Sequence, residues 1–316
     1  MRLAFLIPLF SAAGSLAAEP FLGLPIACTL GQDCYVEAYV DTDPSEKRAD
    51  YTCGLRTRDG HTGIDIAIDS YEAMDRGVSV LAAAPGVVAA MRDGLPDLEP
   101  SDNFDGEFAC GNAVRIAHEN GLQTLYCHMR LGSVSVRSGD RVDAGQPIGL
   151  VGQSGMTNFP HIHMSVLTAE GGQVDPFAPT AQGTCGETQE TLWLDPPAYQ
   201  KTGFFTAGFS TAVPSLASVT SGDARVLVAG PSDALVIYGH MFHAQHGDVL
   251  QFKAHGPQGE VFERSEVLKA PKVNLMRAFG RRAPDAGWPP GIYRSEMTLT
   301  RGDTLIAKRY AFVEIE

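Results

Sequence analysis

No run of lysines or arginines occurs in this 316-residue chain, and basic side chains are outnumbered by acidic ones, 24 to 37. A protein that grips a phosphate backbone does so with clustered positive charge that releases counterions. The formal charge of −13 therefore argues against nucleic acid as a partner. Long apolar runs are missing as well: beyond the N-terminus no segment has enough unbroken apolar residues to cross a membrane. Internal repeats and low-complexity segments are absent, and the cysteines lack zinc-finger spacing. What the chain has in quantity is Gly (34) and Pro (20), which favours short strands and many turns over long helices. Its length suggests two domains, and 44% apolar residues suffice for a sizeable core in each.

The first residues read as an export signal. Arg2 precedes the apolar run Leu3–Phe10, and Ser15-Leu16-Ala17 offers small residues ahead of a cut after Ala17 or Ala18. Pro8, Ser11 and Gly14 interrupt the run, which is too short for a membrane anchor. The expectation is a signal peptide over 1–18 and an exported protein, periplasmic or extracellular, with no stable membrane insertion after cleavage. Six cysteines (Cys28, Cys34, Cys53, Cys110, Cys127, Cys185) follow it, enough for three disulfides. One pair can be argued locally. Asn112–Ala117 and Leu122–Cys127 alternate as strands around a turn at 118–121, and folding that hairpin brings Cys110 to Cys127.

From Cys28 to about Pro179 short apolar runs alternate with turn residues: Asp65–Ile68, Val78–Ala82, Gly86–Arg92, the hairpin, Pro147–Val151 and His161–Leu167. The stretch Thr180–Pro197 is polar and proline-containing, so a domain boundary is expected there, with one domain over 19–187 and another over 188–316. The second has strand patterns at Arg225–Val228, Ala234–Ile237, Asp248–Lys253, Glu260–Val267, Ile292–Leu299 and Thr304–Ile315. That spacing, with no helical stretch, predicts a small β-sandwich of immunoglobulin-like type.

Three elements of the first domain carry chemistry: His61-Thr62-Gly63-Ile64-Asp65, Tyr126-Cys127-His128-Met129 and His161-Ile162-His163. Residues two apart on a strand share a face, so His161 and His163 project into one groove. Asp65, at a strand start, can approach from a neighbour, with Gly63 allowing a tight turn after His61. Two neutral imidazoles and one carboxylate form a catalytic-type zinc set, which leaves a fourth position for water. The HExxH motif and its glutamate base are absent, so a histidine is the expected base.

These residues and the segments around them resemble the lysostaphin-type, or β-lytic, zinc metallopeptidases. The resemblance spans about 120 residues: His61–Asp65, the stretch Val80–Val88, Gly111-Asn112, Thr124–His128, Val136–Gly145, Gly152–Gly155 and Pro160–His163, in the family's order. It implies one Zn2+ per chain on His61, Asp65 and His163, with His128 and His161 as the catalytic pair. It also implies an antiparallel β-domain with a central groove, and a substrate among the peptide cross-links or stem peptides of peptidoglycan. Cys127 departs from the pattern, since a small residue commonly precedes the catalytic histidine. Two other activities compete: a non-catalytic cell-wall or amidase-activator protein on the same fold, and a secreted peptidase acting on glycine-rich proteins.

Other residues read as structural. His240, His243 and His246 sit in what reads as a turn-rich loop between Gly239 and Gly247, and His118 reads as an exposed turn residue. Gly152-Gln153-Ser154-Gly155 lacks the pattern of a serine nucleophile elbow and reads as a turn on the groove rim. Trp193, Trp288 and Phe204-Phe205 read as core or interdomain packing, and Glu99–Asp105 as an exposed acidic loop.

Overall fold

The computed structural model describes residues 19–98, 105–181, 183–186 and 190–316. The expected signal peptide and all of the acidic loop but Asp105 lie outside the described residues. The chain is mostly β, with antiparallel sheets. Its first ten strands are β1 (Cys34–Ala38), β2 (Ile64–Ile68), β3 (Ser79–Leu81), β4 (Gly86–Arg92), β5 (Asn112–Ala117), β6 (Gln123–Met129), β7 (Arg141–Val142), β8 (Pro147–Leu150), β9 (His161–Leu167) and β10 (Gln173–Val174). Seven run in the order β1-β2-β9-β6-β5-β4-β7, β10 pairs with β9, and β3 pairs with β8 as a separate ribbon.

The alternation of β2 and β9 decides which face is which. Ile64, Ile66 and Ile68 of β2 and Ile162, Met164 and Val166 of β9 enter one core, together with Tyr126 of β6. Each such aliphatic side chain stabilises the fold by about 1.5–3 kcal/mol. The intervening residues Asp65, His161 and His163 are thereby forced onto the opposite face, because the side-chain period is two. Sequence beyond 187 returns to this core: Leu192 and Trp193 are fully buried in it, and Trp193 bridges to Leu22.

The remaining strands are β11 (Gly203–Ser210), β12 (Val228–Ala229), β13 (Leu235–Ala244), β14 (Val249–Gly256), β15 (Gly259–Val267), β16 (Lys272–Arg281), β17 (Gly291–Arg301) and β18 (Thr304–Ile315). They form two sheets, β11-β13-β16 and β12-β18-β17-β14-β15, around a second core that includes Phe204, Phe209, Ile237, Met241, Phe252, Met297 and Trp288. This is the expected sandwich, with additions. A short helix, Leu216–Ser221, contradicts the expectation of no helix, and β11 and β16 were not signalled. The histidine run is also corrected: His240 and His243 belong to β13. That strand is buried on both faces, so it lacks the polar alternation that marks a half-exposed strand.

The β11-β13-β16 sheet and the first sheet meet at a mixed junction. Tyr35, Ala67 and Phe242 form a small buried cluster with Phe159 and Phe205, and Arg56 lies over the Phe242 ring at 4.3 Å. Beside it, Arg225 reaches Asp69 at 2.5 Å and also donates to Thr206 Oγ1.

All six cysteines are paired: Cys28–Cys34, Cys53–Cys185 and the expected Cys110–Cys127. Cys53–Cys185 joins residues 132 apart, and the chain-entropy relation assigns such a loop up to about 5 kcal/mol. Replacing both residues with alanine should lower the urea midpoint of unfolding by about twice the shift produced by removing Cys28–Cys34. Equal shifts for the two pairs would show that loop closure does not govern their contribution.

Candidate active site

The groove face of the first sheet brings five ionisable side chains together. Asp65 of β2 is paired in register with His163 of β9, and Ala67 with His161. Asp65 is wholly buried, with its Oδ1 at 2.7 Å from His163 Nδ1 and its Oδ2 at 3.0 Å from His61 Nε2. The ligand atoms of His61, Asp65 and His163 all lie within 4.8 Å of one another. Gly63, between the first two, is required for a reason other than the expected tight turn. A Cβ there would lie 2.6 Å from Met164 O and 2.7 Å from His163 Nε2, so His163 occupies the space that a side chain would take.

Neighbours set the tautomer of each ring. His61 Nδ1 donates to Tyr39 O at 2.6 Å, which leaves the Nε2 lone pair toward Asp65. His163 uses Nε2 on Ser165 Oγ at 2.9 Å, which leaves Nδ1 facing the same carboxylate. Such outer partners fix the orientation and basicity of metal-binding imidazoles. His61 Nε2 is buried without a hydrogen bond of good geometry, although it lies near Asp65. A lone pair opposite a carboxylate calls for a cation between them, so the donor set fits a small divalent metal. A second cluster, Cys28, Asp33 and Cys34, does not, since its two sulfurs are joined in a disulfide.

His128 and His161 complete the groove, with ring centroids 4.7 Å apart. His128 sits at the end of β6 next to Cys127, which is paired with His163. Adjacent strand residues should face opposite sides. A φ of 62° at His128 breaks that alternation and turns its ring into the groove. Its backbone is anchored by Cys110 O at 2.8 Å, and its Nδ1 donates to Ser154 O at 2.8 Å. Ser154 is therefore more than rim: its own Oγ donates to Met129 O and accepts from Asn112 N. Gly111 makes room for it, because a Cβ there would meet Ser154 O at 2.2 Å. His161 Nδ1 donates to Phe159 O at 2.9 Å, with Thr157 Oγ1 at 3.1 Å. Both rings thus direct Nε2 into the groove.

Charge is shared unequally among these groups. Burial alone would raise the Asp65 carboxyl, but charge and hydrogen bonds from His161, His163 and His61 outweigh it and hold Asp65 well below the usual range. Burial would lower His161, but the Asp65 carboxylate pushes it up to about 9. His128 is pushed down to about 3 by burial and by the charge on His161. The pair therefore holds one proton in the metal-free protein, on His161. Because the folded value for His161 is raised above the ordinary 6.5, its contribution is complete below pH 6.5 and lost as pH rises towards 9. Metal-stripped protein should lose roughly 3 kcal/mol of stability over that window. Urea unfolding at several pH values tests this, and a flat profile from 6.5 to 9 would refute it.

Sequence reasoning missed three contributors. Ser165 was legible, since it continues the His161, His163 alternation by one more step. Tyr39 O was not, because a backbone carbonyl carries no sequence signal. Arg58, 53% exposed, places Nη2 at 2.5 Å from Asp65 Oδ2. His118 corrects an expectation: it is buried, bonded to Pro85 O and Thr124 Oγ1, and takes no part in the site. His240 lies outside the groove, bonded to Asn274 Oδ1 at 2.6 Å.

Comparison with known proteins finds relatives for the segment that holds these residues. The family model described as peptidase family M23 matches residues 59–176. The DD-carboxypeptidase/endopeptidase Mpg of Neisseria meningitidis serogroup B is 38% identical over 104 residues, covering 33% of this chain and 19% of that protein. The peptidoglycan DD-endopeptidase ShyC of Vibrio cholerae is 32% identical over 120 residues, covering 37% of this chain and 26% of that protein. This chain thus spans about a fifth to a quarter of the length of these curated relatives. Among solved structures, the catalytic domain of the prophage-encoded M23 protein EnpA from Enterococcus faecalis, crystallised as a mutant, is 26% identical. It covers 51% of this chain and 95% of its own, with a TM-score of 0.32. Residues 59–176, which hold all five groove residues, are a peptidase family M23 domain of the lysostaphin type.

Proposed function

We propose that this protein is an exported zinc endopeptidase that hydrolyses peptide bonds in peptidoglycan cross-links or stem peptides. The observation that carries the reading is the convergence of His61 Nε2, Asp65 and His163 Nδ1 on one point, His61 held in the required tautomer by Tyr39 O and the His163 ring oriented by Ser165 Oγ. These three residues would hold the zinc, which supplies Lewis acidity and lowers the pKa of water when bound. With Asp65 engaged by the metal, His161 loses the charge that keeps it protonated. Its Nε2 is then free to accept a proton from attacking water and to pass one to the departing amine. His128, held neutral by its burial and with Nδ1–H committed to Ser154 O, offers Nε2 to the same reacting centre. The histidine that carries the proton stabilises the developing oxyanion by hydrogen bonding.

The curated relatives named above are a DD-carboxypeptidase/endopeptidase and a peptidoglycan DD-endopeptidase, which supports cell-wall peptide as substrate here. The retention of all five positions disfavours a purely non-catalytic role. Three disulfides with no free cysteine among the described residues fit an oxidising compartment, in keeping with an export signal over residues 1–18. The metallopeptidase unit occupies residues 19–187, with Leu192 and Trp193 packing back onto its core, and the sandwich whose strands begin at Gly203 serves as an accessory unit.

The test is digestion of purified sacculi by zinc-loaded protein, with muropeptides separated by chromatography and an oligoglycine peptide alongside. Conversion of cross-linked to uncross-linked species is expected. Cleavage of oligoglycine alone would replace the cell-wall reading with one of glycine-rich protein substrates. No cleavage of either by protein holding one zinc would defeat the enzyme reading.

A further inference from the structure

A cavity of about 160 Å3 lies at the junction of the two parts, beside the catalytic groove. Its lining comes from both: Tyr35, Glu37, Asp69 and Phe159 from the first, Phe205 and His240 among others from the second. Continuity with the groove is set by register. Tyr35 is paired with Ala67, and Ala67 with His161, so the three occupy neighbouring positions across β1, β2 and β9. Phe159 gives its carbonyl to His161 Nδ1. Glu37 lies within electrostatic reach of the His161 ring.

The chemistry of the walls is specific. Phe205 packs against Tyr35 at 4.8 Å and against His240 at 4.6 Å between ring centroids, which makes an aromatic wall. Two carboxylates line the cavity, and they differ in what they already hold. Asp69 is neutralised by Arg225 and bonded to Thr206. Glu37 is half-buried and has no hydrogen bond or ion pair among the described residues. Arg56, which lies within electrostatic reach of Glu37, donates to Val36 O and lies over Phe242 instead. A half-buried carboxylate beside π-faces is complementary to an ammonium group on an apolar stem, since both ring quadrupole and charge attract it. The volume is of the order of one side chain.

We propose that this cavity is a substrate subsite for an aminoalkyl side chain adjacent to the scissile bond, with Glu37 as counter-charge and the aromatic rings around its methylenes. The sandwich then has a direct part in recognition, since Phe205 and His240 belong to it. This inference rests on the endopeptidase reading above and assigns it a cationic residue in the substrate.

Two peptides test it, identical except that a lysine beside the scissile position has a free or an acetylated amine. Both are made with a reduced, uncleavable bond and titrated calorimetrically into the zinc-loaded full-length protein. The free-amine form should bind about tenfold tighter to wild type, close to the contribution of one charge-assisted contact. Glu37→Gln should abolish that preference, Glu37→Asp should retain most of it, and Phe205→Ala should weaken both peptides together. Equal affinities in wild type, or a preference that survives Glu37→Gln, would overturn the subsite. Because binding is read without turnover, a protein that shows the preference but cleaves no sacculi keeps the subsite and defeats the endopeptidase reading.

Discussion

Alanine in place of Asp65 should reduce bound zinc from about one per chain to almost none, with hydrolysis of cell-wall peptide falling at least about a thousandfold. The reason is geometric and electrostatic together. A three-ligand site that leaves one position for water has no ligand to spare. Asp65 is also the only carboxylate among the three donors, and it is fully buried. Without it, neutral imidazoles and the Arg58 guanidinium remain around the same point, and the uncompensated guanidinium charge opposes a cation. His163→Ala should behave alike. Ser165→Ala should be milder, with zinc affinity about 10- to 100-fold weaker, because it removes only the partner that orients His163 Nδ1. Metal analysis after dialysis against a weak chelator measures all three. An Asp65→Ala protein that keeps its zinc would mean that the metal sits elsewhere.

The second large effect separates catalysis from metal binding. His161→Ala should keep zinc and lose turnover by about 100- to 10,000-fold, the range of general acid–base contributions. His128 needs a gentler replacement. Its φ of 62° is costly for most side chains, and asparagine adopts that region more readily than alanine. His128→Asn should therefore retain fold and zinc while losing turnover on the same scale. The double variant should be little worse than either single one, because the two rings, 4.7 Å apart, share one proton and act as a unit. Loss of zinc from either single variant, or multiplicative losses in the double, would break the division between ligands and catalytic pair.

Much of this site was open to a reader of the sequence, and particular residues show why. His161, His163 and Asp65 lie on strands whose alternation is clean, since Ile162, Met164, Ile64 and Ile66 all enter one core. The face of each polar residue then follows from period alone. The pairing of Cys110 with Cys127 was equally local, since a hairpin turn fixes its own register. His118 was misread as exposed, and His240 and His243 as loop residues, for the converse reason. Polar side chains read as turn or surface, whereas Pro85 O, Thr124 Oγ1 and Asn274 Oδ1 satisfy His118 and His240 inside the protein. A buried histidine with partners from distant segments has the same local sequence as an exposed one.

By itself, then, the sequence determined, through periodicity and short-range contacts, a β-rich chain, one disulfide and a common face for Asp65, His161 and His163, while His61 and His128 were named through the resemblance to the lysostaphin-type peptidases. Only the tertiary structure decided the tautomers, through Tyr39 O, Ser154 O and Phe159 O. It also set the His128 backbone turn, the Cys53–Cys185 closure and the junction cavity where Glu37 meets Phe205. Apart from the local Phe159 O contact and the His128 turn itself, those features join segments tens to more than a hundred residues apart. Hydrogen bonds to backbone carbonyls and packing between separate sheets are set by three-dimensional approach, and no local pattern of side chains encodes them.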